Sequence, residues 1–450
     1  MKVHLIAIGG SAMHNLALAL HQKGFEVSGS DDAIFEPSKS RLEAFGLLPQ
    51  KMGWFPEKIF KDLDAIILGM HARIDNPELI KAQELKIPIY SYPEYIYNQS
   101  IDKKRVVIGG SHGKTSITAM ILHVLHHFNI DCDYMVGAKL DGFDTMVRLT
   151  AEAPVIVLEG DEYLSSPIDR RPKFHWYKPH TAILSGIAWD HINVFPTFEN
   201  YVNQFRIFKN DVEDVLFYCD DDKVLSDLCQ EDSTCRLESY SVPCHCVEDG
   251  ITYLIDGEEK YRLEIFGEHN LQNLNAALLV CQELGIHKSD FYKAISLFKG
   301  ASNRLELVKR GKSSVVYKDF AHSPSKLKAT SSAMKKQYTH RALVACMELH
   351  TFSSLNKDFL NEYMGAMDTP DLAVVYFSKE AIAHKKLEDI SVEQVHKAFG
   401  RQDLKVFTES KDLQQFLKSL EWKNLNLLMM SSGNFDGIDY NCLAEDLLES

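Results

Sequence analysis

Long apolar runs are missing from this sequence: no stretch approaches the ~18 uninterrupted apolar residues that a membrane span needs. An excess of basic charge is missing too. Its 49 Lys and Arg stand against 63 Asp and Glu, a formal net charge of −14. That balance argues against non-specific binding to nucleic acid or to an anionic membrane, since both need a basic surface. A polyanionic substrate would have to be held locally, by backbone amides, metal ions and a few placed cations. The opening MKVHLIAIGG has neither the basic region, the long apolar run nor the small-residue cleavage site of a signal peptide, so a cytoplasmic location is expected. The nine cysteines are scattered and fit reduced thiols better than a disulfide framework. One close group, Cys244-His245-Cys246, lacks a second cluster at zinc-finger spacing and reads as a surface strand or turn.

What is present is an ordinary globular composition, 45% hydrophobic and 25% charged over 450 residues. That length suits about two to four domains, and three is the working number. The first segment reads as a strand over 3–8, a turn at Gly9-Gly10-Ser11-Ala12, a helix over 13–23 capped by Gly24, and a strand ending at Gly29-Ser30-Asp31. An acidic residue about twenty positions after a glycine turn is the layout of a dinucleotide-binding unit, but the G-x-G-x-x-G spacing is not met. A turn that brings backbone amides near a phosphate or sugar is the better reading, with a nicotinamide oxidoreductase as the weaker alternative. Strands at 65–69 and 87–90 around a helix at 77–85 complete a small α/β domain, and the polar stretch 98–104 reads as a linker.

The second segment opens with a buried strand at 105–108, then Gly109-Gly110-Ser111-His112-Gly113-Lys114-Thr115-Ser116, then a helix with apolar residues at helical spacing from Ile117 to Phe128. A loop that surrounds phosphate oxygens with backbone amides must be rich in glycine. Its lysine reaches the β/γ-phosphates, and the hydroxyl that follows can ligate magnesium. The spacing is the short form Gly110-x-x-Gly113-Lys114-Thr115, since Ile108 stands where a P-loop has its first glycine. Strands are expected at 155–158, 181–184 and 215–218. The first ends in Glu159-Gly160-Asp161-Glu162, where carboxylates beside a P-loop are placed for magnesium, Glu159 foremost. The second runs into Gly186-Ile-Ala-Trp-Asp190-His191; His191 could ligate a second metal, with Asp190 fixing its orientation. The stretch 238–262 reads as short strands and turns. In Gly267-Glu268-His269-Asn270, the asparagine either N-caps a helix over 271–284 or joins Asn273 in contacting adenine or ribose.

Gly300-Ala-Ser-Asn-Arg304 marks a hinge into a third α/β segment, with strands expected at 314–317, 342–347, 372–376 and 425–430. Arg304 and Asp319-Phe-Ala-His322 lie just beyond the hinge. They could stabilise charge on a transferred phosphoryl group or form interdomain salt bridges. A P-loop switch that binds a partner protein is the alternative to an enzyme. The sequence contains no internal repeats and no low-complexity tracts.

In their order along the chain these motifs resemble the Mur ligase family of peptidoglycan biosynthesis, over essentially the whole length. The resemblance implies an α/β protein of three domains: a Rossmann-like UDP-sugar domain at 1–102, a P-loop ATPase-like domain at 103–302 and a Rossmann-like amine or peptide domain at 303–450. It implies a carbon–nitrogen ligase that uses ATP and Mg2+ and takes UDP-N-acetylmuramate with an amino acid or peptide, as a monomer or weak homodimer. The UDP-sugar contacts it implies are Gly9, Gly10, Ser11, Ala12, Met13, Ser30, Asp31 and His71. Gly110 to Ser116, His269, Asn270, Asn273, Arg304 and Asp319 would contact ATP. Thr115, Glu159 and His191 would hold metal, and Lys114, Glu159, His191, Arg304 and His322 would be catalytic. Three runs look more like the recycling branch, the murein peptide ligases, which attach L-alanyl-γ-D-glutamyl-meso-diaminopimelate, than like the branch that adds L-alanine. These are Ile168-Asp-Arg-Arg-Pro-Lys-Phe174, Asp319-Phe-Ala-His322 and Met430-Ser-Ser-Gly-Asn-Phe-Asp-Gly437. Peptide contacts are expected near His350, Thr351 and Ser353 or near 431–434. Phe205 falls where other members carry a carbamylated lysine. Gly186, Asn303 and Ser323 stand where asparagine, arginine and histidine are common.

Overall fold

The computed structural model describes residues 1–140, 142–189 and 194–448. They divide into two compact units, Met1–Ser241 with Leu274–Phe291 and Val242–Asn273 with Tyr292–Ser450. Apolar, β-branched runs build parallel sheets buried on both faces, as such runs should. Among the described residues no helix is long and apolar enough to cross a membrane.

The first unit carries two sheets. Strands β1 (Lys2–Ile6), β2 (Glu26–Ser30), β3 (Ala65–Leu68) and β4 (Ile89–Ser91) pair in parallel in the order β2-β1-β3-β4. The strand expected over 3–8 stops at Ile6, because Ala7 turns to φ +68° and the Ala7 and Ile8 amides both reach the Ser30 carbonyl, at 2.9 and 3.1 Å. The second sheet holds β5 (Lys104–Gly109), β6 (Cys132–Met135), β7 (Val147–Arg148), β8 (Val155–Glu159), β9 (Thr181–Leu184), β10 (Val215–Cys219) and β11 (Arg236–Tyr240). Its order is β11-β10-β9-β5-β8-β6-β7. The strand that feeds the Gly-Lys turn is therefore central, with the strand ending in Glu159 on one side and the strand ending before Gly186 on the other. The stretch 98–104 is not a free linker. Ser100 and Lys103 are buried, and Lys103 Nζ donates to the Ala153 carbonyl at 2.7 Å and pairs with buried Asp133 at 3.0 Å.

The second unit contains an antiparallel sheet, β12 (His245–Glu248), β13 (Ile251–Asp256) and β14 (Glu259–Leu263), where sequence reading saw short strands and turns. Its larger sheet holds β15 (Glu306–Arg310), β16 (Val315–Asp319), β17 (Ala342–Leu349), β18 (Leu372–Phe377), β19 (Lys405–Phe407) and β20 (Leu425–Met430), in the order β15-β16-β20-β17-β18-β19. Alternate residues feed two cores. Val315, Tyr317, Ala345 and Met347 pack with Leu327 and Met334 of the helix Pro324–Gln337; Val316, Val344 and Cys346 pack with Leu413 and Leu443 on the other face.

Asp133 accepts from the Thr150 amide and hydroxyl and pairs with Lys103 and Arg148. Removing one partner of a buried pair leaves the other charge uncompensated, so Asp133→Ala should cost about 3–5 kcal/mol in a urea-unfolding titration.

Candidate active site

The turn after β5 can be built only with glycine at two positions. Gly110 lies at φ +122°, and a Cβ there would sit 2.2 Å from Ser185 Oγ and 2.8 Å from the Ser185 amide nitrogen. Gly113 takes φ +76° and leads directly into the helix Lys114–His127. The Ser111 amide donates to the Gly186 carbonyl at 3.0 Å, so the turn is stitched to the end of β9. Ser185 Oγ donates to the Gly109 carbonyl at 3.2 Å and closely to that of His112.

Within that frame Lys114 Nζ donates to the Gly110 carbonyl at 2.6 Å and to Glu162 Oε2 at 2.7 Å. Burial alone would lower the lysine pKa, but the charges of Glu162, Asp161 and Glu159 outweigh it and raise it, so the ammonium form is secured. Thr115 Oγ1 donates to Glu159 Oε1 at 2.8 Å, while Glu159 Oε2 accepts the Gly137 amide at 2.6 Å. A hydroxyl and a carboxylate meeting this way are the hard oxygen donors that magnesium takes. A Cβ on Gly137 would fall 2.8 Å from the same carboxylate. Sequence reading missed this glycine, because nothing local at 137 announces contact with residue 159. It also missed Tyr201, whose hydroxyl lies 2.8 Å from Ser111 Oγ and donates to Glu162 Oε1 at 3.2 Å.

Asp190 and His191 lie outside the described residues. Phe205 is fully buried, edge-on to Phe174 at 5.6 Å and to Tyr201 at 5.1 Å. The run from Ile168 to Phe174 forms a strapped loop: Leu164 bridges Pro172, the Ser165 amide donates to the Arg171 carbonyl at 3.0 Å, and Lys173 Nζ pairs with Asp161 at 2.5 Å.

The first sheet brings Gly9, Gly10, Met13, Asp31 and His71 to one cleft of about 480 Å3, together with Phe35, Trp54 and Arg73, which sequence reading did not single out. Asp31 Oδ2 accepts the Gly9 amide at 2.7 Å. Burial raises the Asp31 pKa; neighbouring Asp32 adds to this, and the Gly9 and Ala33 amides oppose it. Ser30 is buried and accepts from Lys58 Nζ at 3.0 Å, whereas Ser11 and Ala12 are exposed and do not line the cleft. A larger cleft of about 740 Å3, with Lys23, His126 and Arg148 on its walls, lies at the far end of the helix Lys114–His127 and includes no residue of the Gly-Lys turn.

The helix Glu268–Glu283, whose residues up to Asn273 belong to the second unit, starts before Asn270, so Asn270 does not N-cap it. Its Nδ2 reaches back to the Phe266 carbonyl at 2.9 Å. Burial lowers the His269 pKa against the charges of Asp319 and Glu268. Asn273 is buried in the same helix. Asp319, at the end of β16, accepts the Leu305 amide at 2.6 Å and the Ala321 amide at 2.7 Å. Burial raises its pKa against Arg304, His269 and those amides. The Arg304 guanidinium stacks over Phe320 at 4.5 Å, and His322 Nδ1 lies 2.7 Å from the Phe320 carbonyl. Arg304, Asp319 and His322 thus belong to one loop cluster.

The same sheet has a switch point between β20 and β17. The chain leaves β17 toward the face of Leu327 and Met334, and leaves β20 toward the face of Leu443 and Leu447. Crevices at such points, outside the strand ends, are where open α/β sheets bind ligands. Buried Glu348 lies there: it bonds closely with Ser431 Oγ, accepts the Phe435 amide at 2.8 Å, and faces His350 Nδ1 at 3.4 Å. His350 and Ser431 are thereby brought together, as two of the residues expected to meet the peptide.

The acid cluster gives a signed expectation. Burial alone would raise the Asp161 pKa, but Lys173 and then Lys114 hold it well below the usual carboxylate range. A carboxyl depressed in this way stabilises the fold above its unfolded pKa of about 4 and loses that contribution as pH falls. Lys173→Met should therefore lower the thermal midpoint by a few degrees at pH 7, and the gap to wild type should narrow as the scan is repeated below about pH 4.

Comparison with known proteins agrees with this geometry. Residues 2–100 match the Mur ligase family catalytic domain and residues 108–281 the Mur ligase middle domain. The chain is 30% identical over 386 residues to a UDP-N-acetylmuramate–L-alanine ligase of Clostridium kluyveri, covering 82% of each. It is 28% identical over 449 residues to one from a Sulfurihydrogenibium species, covering 96% of this chain and 95% of the relative. Among solved structures, a murein peptide ligase from Psychrobacter arcticus matches with a TM-score of 0.66 at 22% identity, over 100% of this chain and 99% of the other. The UDP-N-acetylmuramate–alanine ligase of Thermotoga maritima matches at 0.71 and 18%, over 100% and 98%. At those identities the structures speak for the α/β fold alone. The sequence relatives and domain matches carry the assignment: the chain belongs to the Mur ligase family of ATP-dependent ligases that form carbon–nitrogen bonds.

Proposed function

We propose that this ligase joins UDP-N-acetylmuramate to L-alanyl-γ-D-glutamyl-meso-diaminopimelate, as in peptidoglycan recycling. The observation that carries the phosphoryl-transfer half is the meeting of Lys114, Thr115 and Glu159 at the ends of neighbouring strands. The γ-phosphoryl group of ATP passes to an oxygen of the lactyl carboxylate, and ADP leaves. The peptide's amino nitrogen attacks the acyl carbon, loses its proton, and the tetrahedral adduct expels phosphate to give the amide. Lys114 and the amides of 110–116 grip the β/γ-phosphates. Thr115 and Glu159 are the residues that would hold magnesium, which neutralises phosphate charge when bound. His191 as a second metal ligand belongs to the same proposal, as do the ATP contacts of His269, Asn270, Asn273, Arg304 and Asp319 and the catalytic role of His322. So do the three domains 1–102, 103–302 and 303–450. No side-chain nucleophile is required, because positioning and charge neutralisation supply the catalysis.

The amine pocket in this reading is the crevice at Glu348, His350 and Ser431, whose carboxylate and hydroxyl suit an amine or amide donor. The run from Ile168 to Phe174, which resembles the recycling branch and is strapped by the Leu164–Pro172 bridge and the Lys173–Asp161 pair, supports the tripeptide. L-Alanine is the second reading, favoured by the sequence relatives, which are UDP-N-acetylmuramate–L-alanine ligases.

An amine panel decides between them. Purified protein with UDP-N-acetylmuramate, ATP and magnesium should release phosphate with the tripeptide and not with alanine; turnover with alanine alone would overturn the tripeptide assignment. Lys114→Ala should reduce the rate by at least about a hundredfold, since a placed charge on the transferred group is lost.

A further inference from the structure

Lys114 is not free to meet a phosphate in this structure. Its ammonium lies on the Gly110 carbonyl of its own turn and on Glu162. Glu162 is almost fully buried, at 2% exposure. A triphosphate must draw the lysine off this carboxylate, and a buried carboxylate that loses its cation is costly unless other donors hold it.

One such donor comes from the helix Phe198–Asn210. Tyr201 is fully buried, its ring between Phe195 at 5.4 Å and Phe205 at 5.1 Å. The ring packing aims its hydroxyl at Glu162 Oε1, 3.2 Å away, and at Ser111 Oγ, 2.8 Å away. The direction of the chain follows from donor counts. A carboxylate only accepts, so the tyrosine proton points to Glu162; its oxygen then accepts the proton of Ser111. Ser111 Oγ in turn accepts the Ala188 amide at 2.9 Å. A single ordered run of hydrogen bonds thus joins the end of β9, the phosphate turn, the helix Phe198–Asn210 and the acid that holds the lysine.

We propose that Tyr201 is a positioning residue for Lys114, and that its hydroxyl holds Glu162 in place both when the lysine lies on that carboxylate and when it has moved to a phosphate. The inference rests on the reading that this turn binds ATP. Removing the hydroxyl leaves Glu162 with one donor fewer, so the carboxylate retains the lysine more strongly and nucleotide binding weakens. Tyr201 does not touch the reacting atoms. Its influence passes through Glu162.

The test uses the full chain, with the magnesium complex of AMP-PNP titrated by calorimetry. Tyr201→Phe keeps the ring and should raise the dissociation constant for the nucleotide about tenfold, the scale of a lost hydrogen bond to a charged group. Binding of UDP-N-acetylmuramate and kcat at saturating ATP should stay within about twofold of wild type. In a Glu162→Gln background Tyr201→Phe should add nothing, since the two act as one unit. Unchanged nucleotide affinity in Tyr201→Phe, equal loss of affinity for both ligands, or additive effects with Glu162→Gln would overturn the inference. The reading beneath it fails by a different sign: Lys114→Ala that still binds AMP-PNP as wild type does.

Discussion

The active-site half of this chain is organised around a charge that cannot stand alone. Lys114 is largely withdrawn from water, so its ammonium needs an anion at all times, protein carboxylate or phosphate. Everything nearby follows from that requirement. β5 and β8 are parallel neighbours in register, Val107 opposite Leu158 and Ile108 opposite Glu159, so the turn after one and the acids after the other emerge at the same sheet edge. The helix Lys114–His127 begins at that edge and turns its first amides toward it. A glycine at 137 lets the carboxylate of Glu159 approach backbone, which fixes it opposite Thr115. Three acids and two lysines, Lys114 and Lys173, therefore share a small volume with their charges nearly balanced before any ligand arrives. An incoming triphosphate with magnesium exchanges one set of ion pairs for another, and exchange is far cheaper than creating buried charge anew.

How much of this could be read from the sequence depended on how local each constraint is. The phosphate turn was legible because its glycines, lysine and hydroxyl are consecutive and each is demanded by backbone geometry within a few residues. The central strands were legible because burial on both faces leaves unbroken apolar runs, as at 155–158 and 182–184. Gly137 and Tyr201 were not legible, since their partners lie 22 and 90 residues away in sequence and only the pairing of strands brings them close. β15 escaped notice because Glu306–Arg310 holds only two apolar residues, Leu307 and Val308, on an antiparallel edge, a weak pattern beside its parallel neighbours. The helix at 268 was expected to start near 271. Its first turn, Glu268-His269-Asn270, is polar and carries no apolar period, so the pattern began one turn late.

Local chemistry also misled where burial reversed it. A polar stretch such as 98–104 ordinarily marks a linker, yet Lys103 and Ser100 are among the buried residues, because Asp133 and the Ala153 carbonyl offer the lysine partners that a sequence window cannot contain. Ser30 is likewise buried, its hydroxyl on Lys58 Nζ, a partner 28 residues away in sequence. Asp31, one residue on, does reach the cleft, because alternate residues at a strand end point to opposite sides.

Phe205 brings these strands of argument together. Here the position is filled by a fully buried ring packed on Phe174 and Tyr201, and a charge there would have no solvent and no partner. The helix Phe198–Asn210 contributes a neutral hydroxyl from Tyr201, one turn earlier, and the negative charge comes from the end of β8 as Glu159, Asp161 and Glu162. Because Phe205 forms one wall of the Tyr201 ring, the burial of this aromatic and the placing of the phenol on Glu162 are one packing solution. The aromatic that closes this part of the core also aims the hydroxyl that steadies the buried acid.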